Sequence, residues 1–181
     1  MTSIKIENIV AYAQISDVLD IKLISEKIPQ TSYNPKEFDG ISIKYDMPKT
    51  AVLVISNGKI VCTGAKNLQD VESAIKKTVK KIKDIGFDII KGYEIKFENV
   101  IATADFNKEM HLSSISNALV LQKVEYKPEQ FLGLIYKVEE LCADVLLFSS
   151  GKVVCTGAKS IENATSAINK LEEKLTSIGV L

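Results

Sequence analysis

The chain has 181 residues and a formal net charge of zero, made from 23 lysines and 23 acidic residues, with no arginine and no tryptophan. Neutrality argues against a protein that holds nucleic acid by charge alone. The missing arginines argue against a factor that reads guanine edges in the major groove. A composition 46% hydrophobic and 25% charged fits a folded globule and excludes a disordered chain. No apolar run approaches the roughly 18 residues of a membrane span, and no charged leader precedes an apolar block. An intracellular, cytoplasmic chain is the expectation. Cys62, Cys142 and Cys155 are odd in number and lack close pairing, so they are expected to be small buried hydrophobes, with no disulfide framework and no zinc site. His111 has no partners for a metal and reads as a solvated loop residue. Nothing in the sequence calls for a cofactor.

Taken in chain order, the elements come twice. A β segment is expected at about 3–13 and again at 94–104. A short helical stretch follows, near 17–28 with Asp20 as N-cap, and near 112–122 with Ser113 as N-cap. A Tyr-x-Pro turn leads into runs of strands at about 40–66 and 133–159. Asn57-Gly58 and Ser150-Gly151 are the hairpin turns, able to accept positive φ. Each copy closes on a long helix. Val71, Ile75, Val79 and Ile82, and then Ala164, Ile168, Leu171 and Leu175, recur at helical spacing. Asn67 and Ser160 are the natural starts, Gly86 and Gly179 the natural stops.

The duplication is explicit. Ser56-Asn-Gly-Lys-Ile-Val-Cys-Thr-Gly-Ala-Lys66 returns as Ser149-Ser-Gly-Lys-Val-Val-Cys-Thr-Gly-Ala-Lys159, identical at nine of eleven positions with an offset of 93. Tyr33–Gly40 matches Tyr126–Gly133 at the same offset, and Ile4–Ala11 matches Ile95–Ala102 at an offset of 91. The chain is therefore two repeats, 1–91 and 92–181. Two copies are too few for a solenoid, and a single pseudo-twofold α+β globule is expected, with helices on one face of an antiparallel sheet.

Both faces of that sheet read as apolar. Side chains alternate along a strand, so Val52, Val54, Ile60 and Cys62 share one face, and Leu53, Ile55, Lys59, Val61 and Thr63 the other. The second copy sets Val145, Leu147, Val153 and Cys155 against Leu146, Phe148, Lys152, Val154 and Thr156. One long and one short helix per copy cover one face, which leaves an apolar face as a binding surface or as a sandwich or homodimer interface. Segments 51–66 and 145–159 carry Lys59, Lys66, Lys152 and Lys159 with no acidic residue, which points to an anionic partner.

These segments resemble the TATA-box-binding protein family in its archaeal form. The resemblance rests on Glu-Asn-Ile-Val-Ala (7–11), Tyr-Asn-Pro-Lys-Glu-Phe (33–38), Ser-x-Gly-Lys-x-Val-Cys-Thr-Gly-Ala-Lys in both copies, Tyr-Lys-Pro-Glu-Gln-Phe (126–131) and Gly-Leu-Ile-Tyr-Lys (133–137). It covers nearly the whole chain. It implies a saddle: one curved antiparallel sheet, pseudo-twofold symmetric, with helices on the convex face and a concave face that grips the DNA minor groove. The family's known mechanism inserts apolar wedges and kinks the duplex. By position, the wedges are Phe38, Ile55, Phe131 and Phe148. The base-edge contacts are Asn8, Val10, Leu53, Val61 and Thr63, with Asn99, Ile101, Leu146, Val154 and Thr156. The phosphate contacts are Lys44, Lys59, Lys66, Lys137, Lys152 and Lys159. Transcription factor B would dock at Lys127, Glu129 and Gln130, and through it RNA polymerase; the free protein could also pair with itself through the concave face.

Three departures stand out. Ile55 replaces a customary Phe, Lys44 and Lys137 replace frequent Arg, and Lys127 reverses the charge of a customary Glu. The turn 139–144 also lacks the proline that the first copy has at Pro48. The resemblance implies a general transcription initiation factor for A·T-rich promoters, without catalysis. The other reading is a diverged paralogue, or a protein-interaction module with weak DNA binding and a different partner. An enzyme is disfavoured: the Gly-Lys stretches lack the P-loop pattern, and no nucleophile–base pair is visible. The two halves differ in charge, with 14 lysines against 11 acids in residues 1–91 and 9 against 12 in residues 92–181.

Overall fold

The computed structural model describes residues 2–119 and 123–181. The chain forms two compact units, Asn8–Glu98, and the segment ending at Glu7 together with Asn99–Leu181. The elements of the first copy are β1 (Lys5–Gln14), α1 (Ile21–Lys27), β2 (Thr31–Tyr33), β3 (Gly40–Asp46), β4 (Lys49–Ile55), β5 (Lys59–Ala65) and α2 (Leu68–Asp84). Those of the second are β6 (Lys96–Asp105), α3 (Leu112–Ala118), β7 (Val124–Glu125), β8 (Leu134–Val138), β9 (Ala143–Leu147), β10 (Lys152–Ala158) and α4 (Ile161–Ser177). The strand order is β2-β3-β4-β5-β1 in the first and β6-β10-β9-β8-β7 in the second. Each of these pairings is antiparallel.

One face of each sheet is sealed by a helix. α2 packs on β4 and β5, burying Val71, Ala74, Ile75, Val79 and Ile82 with Val52, Val54, Ile60 and Cys62. α4 packs on β9 and β10 through Ala164, Ala167, Ile168, Leu171 and Leu175. The spacing of three and four residues in both helices puts these side chains on one stripe, and each large one contributes about 1.5–3 kcal/mol by leaving water. Thr78 is the polar exception on the stripe. Its hydroxyl lies 2.9 Å from both the Ala74 carbonyl and the Tyr45 hydroxyl, so its burial strands no polar group.

The caps follow the sequence reading in three of four places. Asp20 accepts from Leu23 N at 3.0 Å, Asn67 from Asp70 N at 2.8 Å and Ser160 from Asn163 N at 3.0 Å. Gly86 and Gly179 stop the long helices at φ 102° and 73°. Ser113 is not a cap. The N-cap of helix α3 lies two residues earlier, at His111, which makes no side-chain capping bond. Of the expected 112–122 helix, residues 120–122 lie outside the described residues, and α3 ends at Ala118. The short edge strands β2 and β7 were not anticipated. Three and two residues long, they carry too little alternation to register as strands.

Each hairpin turns through more residues than the bare Asn-Gly or Ser-Gly pair. Gly58 N donates to Ile55 O at 3.0 Å and Gly151 N to Phe148 O at 2.9 Å. Only the glycines take positive φ, 79° and 85°. A Cβ on Gly58 would fall 1.8 Å from the Ser16 carbonyl oxygen, so the turn's approach to that loop requires glycine. Met47-Pro48 joins β3 to β4, whereas a 3₁₀ turn at Glu139–Leu141 does the same work in the second copy. That turn ends on Cys142, exposed and left-handed at φ 50°. The expectation that all three cysteines are buried is thus wrong for Cys142, because the proline-free turn swings it outward. Cys62 and Cys155 are buried, and burial above all, with Asp70 and Asp144 adding to it, pushes their thiols up to about 11. No helix among the described residues is long and apolar enough to cross a membrane.

Adjacent residues on β5 separate the two faces. Ile60→Ala removes a fully buried side chain and should cost about 2–5 kcal/mol in urea unfolding, whereas Val61→Ala on the half-buried face should cost less than about 1 kcal/mol.

Candidate nucleic-acid interface

The face away from the helices carries the residues that the sequence nominated. In the first unit, Leu53 lies opposite Val61, and Val61 opposite Tyr12; Ala51 lies opposite Thr63. In the second, Leu146 lies opposite Val154, and Val154 opposite Thr103. Val10, Leu53, Ile55, Val61 and Thr63, and Ile101, Leu146, Phe148, Val154 and Thr156, are all half-buried, while their neighbours Val52, Val54, Ile60, Val145, Leu147 and Val153 are buried. Each unit therefore keeps an apolar strip partly open to water.

Both asparagines sit at a bulge. Between Ile9↔Ala65 and Ala11↔Cys62, β1 advances two residues and β5 three; β10 shows the same excess between Cys155↔Ala102 and Ala158↔Val100. The extra residue frees a backbone N–H. Gly64 and Gly157, at φ 93° and 87°, turn that N–H onto the Asn8 and Asn99 Oδ1 atoms, each at 2.7 Å. With the oxygen so committed, Nδ2 must point the other way, where it reaches Thr63 Oγ1 at 3.3 Å and Thr156 Oγ1 at 3.5 Å. An amide nitrogen has two protons, so each asparagine keeps a donor for a ligand beside a threonine hydroxyl.

Two of the four wedge candidates, Phe38 and Phe131, project from the Tyr-x-Pro turns. Phe38 N donates to Asn34 O at 3.1 Å and Phe131 N to Lys127 O at 2.9 Å, and the two rings are 40% and 38% exposed. Phe131 meets Phe148 edge-on, with centroids 5.9 Å apart and planes at 67°. Ile55 cannot form such a pair with Phe38. Each projecting ring rests on a glycine: a Cβ on Gly40 would come within 2.4 Å of Phe38 Cε1, and one on Gly133 within 2.7 Å of Phe131 Cε1. Gly40 and Gly133 were missed in the sequence reading, although the spacing Phe-x-Gly stands in both copies.

The lysines divide. Lys44, Lys66, Lys137, Lys152 and Lys159 are exposed, and Lys59 is half-buried. Lys59 Nζ lies 4.2 Å from the centre of the Tyr12 ring, and Lys137 Nζ lies 3.5 Å from Glu125. At the expected factor B surface, Lys127 pairs with Glu125 at 2.8 Å. Its hydrogen bond is the main cause that holds the Glu125 carboxyl below the usual carboxylate range. Glu129 and Gln130 are exposed in the same turn.

A profile described as "Transcription factor TFIID (or TATA-binding protein, TBP)" matches residues 3–85 and 94–178. The chain belongs to the TATA-box-binding protein family. The TATA-box-binding protein of Archaeoglobus fulgidus is 42% identical over 178 residues, spanning 98% of this chain and 97% of the relative. That of Pyrococcus horikoshii is 43% identical, spanning 98% and 92%. The solved structure of Methanococcus jannaschii TBP superposes with a TM-score of 0.83 at 40% identity, covering 97% of this chain and 99% of that one. The fold class expected from the sequence, a duplicated antiparallel α+β unit, is that of the family. Members serve in transcription initiation and are not enzymes.

The two jobs of Asn8 are separable. Asn8→Asp keeps the oxygen that receives Gly64 N–H, and should leave the melting temperature close to wild type. Asn8→Ala strands that N–H and should cost about 1 kcal/mol in denaturant unfolding.

Proposed function

We propose that the chain is a general transcription initiation factor that holds the minor groove of A·T-rich promoter DNA against the open apolar faces of its two units. The observation that carries this reading is the half-buried strip Leu53–Val61 and Leu146–Val154, flanked by an amide donor at each bulge and by lysines. A·T pairs show the minor groove only acceptors, whereas guanine adds an amino donor. Against an apolar floor that amino group loses its water and gains no partner, at a cost of about 1–3 kcal/mol. Asn8 and Asn99 supply donors to the acceptors, beside Thr63 and Thr156. Val10 and Ile101 extend the floor.

Phe38 and Ile55 in the first unit, and Phe131 and Phe148 in the second, act as wedges that open base steps, in the manner known for the family. Lys44, Lys59, Lys66, Lys137, Lys152 and Lys159 contact phosphates. Transcription factor B docks on the turn with Lys127, Glu129 and Gln130, and brings RNA polymerase. The reversed charge at Lys127 sets its affinity apart from that of a member with Glu there. A second reading has its own support. Lys59 and Lys137 are engaged inside the protein, which suits a face that has traded DNA affinity for a protein partner.

Binding to three duplexes separates these readings. The DNA-binding reading expects tight binding to an A·T-rich site, retained when A·T pairs become inosine·cytosine, which restores the same minor-groove acceptors, and lost with guanine·cytosine. It also expects log K to fall with log salt at a slope of about −3 to −5, for the lysines engaged at about −0.9 each. Added factor B should retard the complex further in a gel. Equal, weak binding to all three duplexes would favour the interaction module.

Ile55 lacks the flat ring that stacks on a base. Ile55→Phe should therefore tighten binding about threefold to tenfold and increase the bend measured by energy transfer between end-labelled strands.

A further inference from the structure

Besides Ile55 and Phe148, the two units differ at a further point on the open face. Tyr12 and Thr103 are equivalent by the repeat, and Lys59 and Lys152 are equivalent on the neighbouring strand. In the first unit, Tyr12 lies opposite Val61 and Gln14 opposite Lys59, so the lysine side chain folds back and seats its ammonium over the Tyr12 ring at 4.2 Å. Lys59 is half-buried there. Its backbone is held as well: Lys59 N donates to Asn57 Oδ1 at 3.0 Å, and Gln14 Nε2 ties the Asn57 and Ser16 carbonyls at 2.5 and 2.7 Å. In the second unit the position of the ring is taken by Thr103, whose hydroxyl donates to Glu7 at 3.1 Å. Lys152 is exposed.

We infer that Tyr12 is a positioning residue for DNA binding, its ring presetting Lys59 for a backbone phosphate. This rests on the DNA-binding reading above. A free lysine gives up rotamer freedom when it grips a phosphate. One already stacked on a ring has given up much of it, and a ring face attracts a cation without neutralising it. The first unit therefore holds a cation in place before DNA arrives, and the second unit meets the backbone with an exposed lysine that has no ring at the equivalent position. A protein of two like repeats on a near-symmetric site thereby gains unequal halves, which biases its orientation.

The ring is the working part, and the hydroxyl is not: among the described residues the Tyr12 hydroxyl has no hydrogen-bond partner, while the ring face meets Lys59. The test is a salt titration of binding to an A·T-rich duplex by fluorescence anisotropy, with thermal melting to monitor the fold. Tyr12→Thr, which installs the residue of the second unit, should weaken binding about fivefold with the salt slope unchanged, since no charge is lost. Lys59→Gln should weaken binding and shallow the slope by about one contact. Tyr12→Thr added to Lys59→Gln should cost nothing further. Tyr12→Phe, which keeps the ring, should bind as wild type. The inference is overturned if Tyr12→Phe weakens binding substantially, if Tyr12→Thr binds as wild type, or if Tyr12→Thr costs as much without Lys59 as with it. Should the wild-type chain fail to prefer the A·T-rich duplex, the DNA-binding reading itself falls, which is a different result from these.

Discussion

An antiparallel sheet has two faces, and each unit of this chain has one long helix with which to cover one of them. Everything else in the molecule follows from that shortfall. The helix stripes of α2 and α4 bury the side chains Val52, Val54, Ile60 and Val145, Leu147, Val153, and the alternation of the strand then delivers Leu53, Val61, Leu146 and Val154 to the opposite side. Those residues are as apolar as the buried ones, so the open face is not designed for water alone. The core provides stability, and the same strands carry the open apolar face, proposed above to hold DNA, at no cost in chain length.

The bulges decide where the polar groups on that surface stand. A regular ladder would consume the Gly64 and Gly157 N–H groups in strand pairing. The extra residue on β5 and β10 releases them to the asparagine oxygens, and that single bond fixes which way each amide points. The asparagine is thus at once a structural cap and a presented donor.

Duplication built two similar faces, and substitution has since made them unlike. The second unit has the edge-on pair Phe131 and Phe148, while the first has Ile55 and, one row inward, the tyrosine that seats Lys59. The first copy turns between strands through Pro48, and the second through a 3₁₀ turn that exposes Cys142. The charge follows the same division, with a lysine excess in residues 1–91 and an acid excess in 92–181. A neutral total therefore conceals two halves of opposite sign.

Much of this was legible in the chain. Two copies of an eleven-residue segment established the repeat, period-two alternation distinguished the faces, and Asn67, Ser160, Gly86 and Gly179 bounded the long helices, because each of those signals is local and short in range. What failed were features that depend on distant atoms. Ser113 loses the cap because α3 begins at Leu112, with His111 two residues earlier at the N-cap. Gly40 and Gly133 matter because a ring two residues away lies over them. Lys59 meets Tyr12 only because β1 and β5 are neighbours in the sheet, 47 residues apart in sequence. Sequence alone determined the family, the duplication and which side chains share a face. Tertiary structure alone decided the bulges, the direction of the asparagine amides and the partners of the lysines, since register and packing bring those groups together across distances that no local pattern spans.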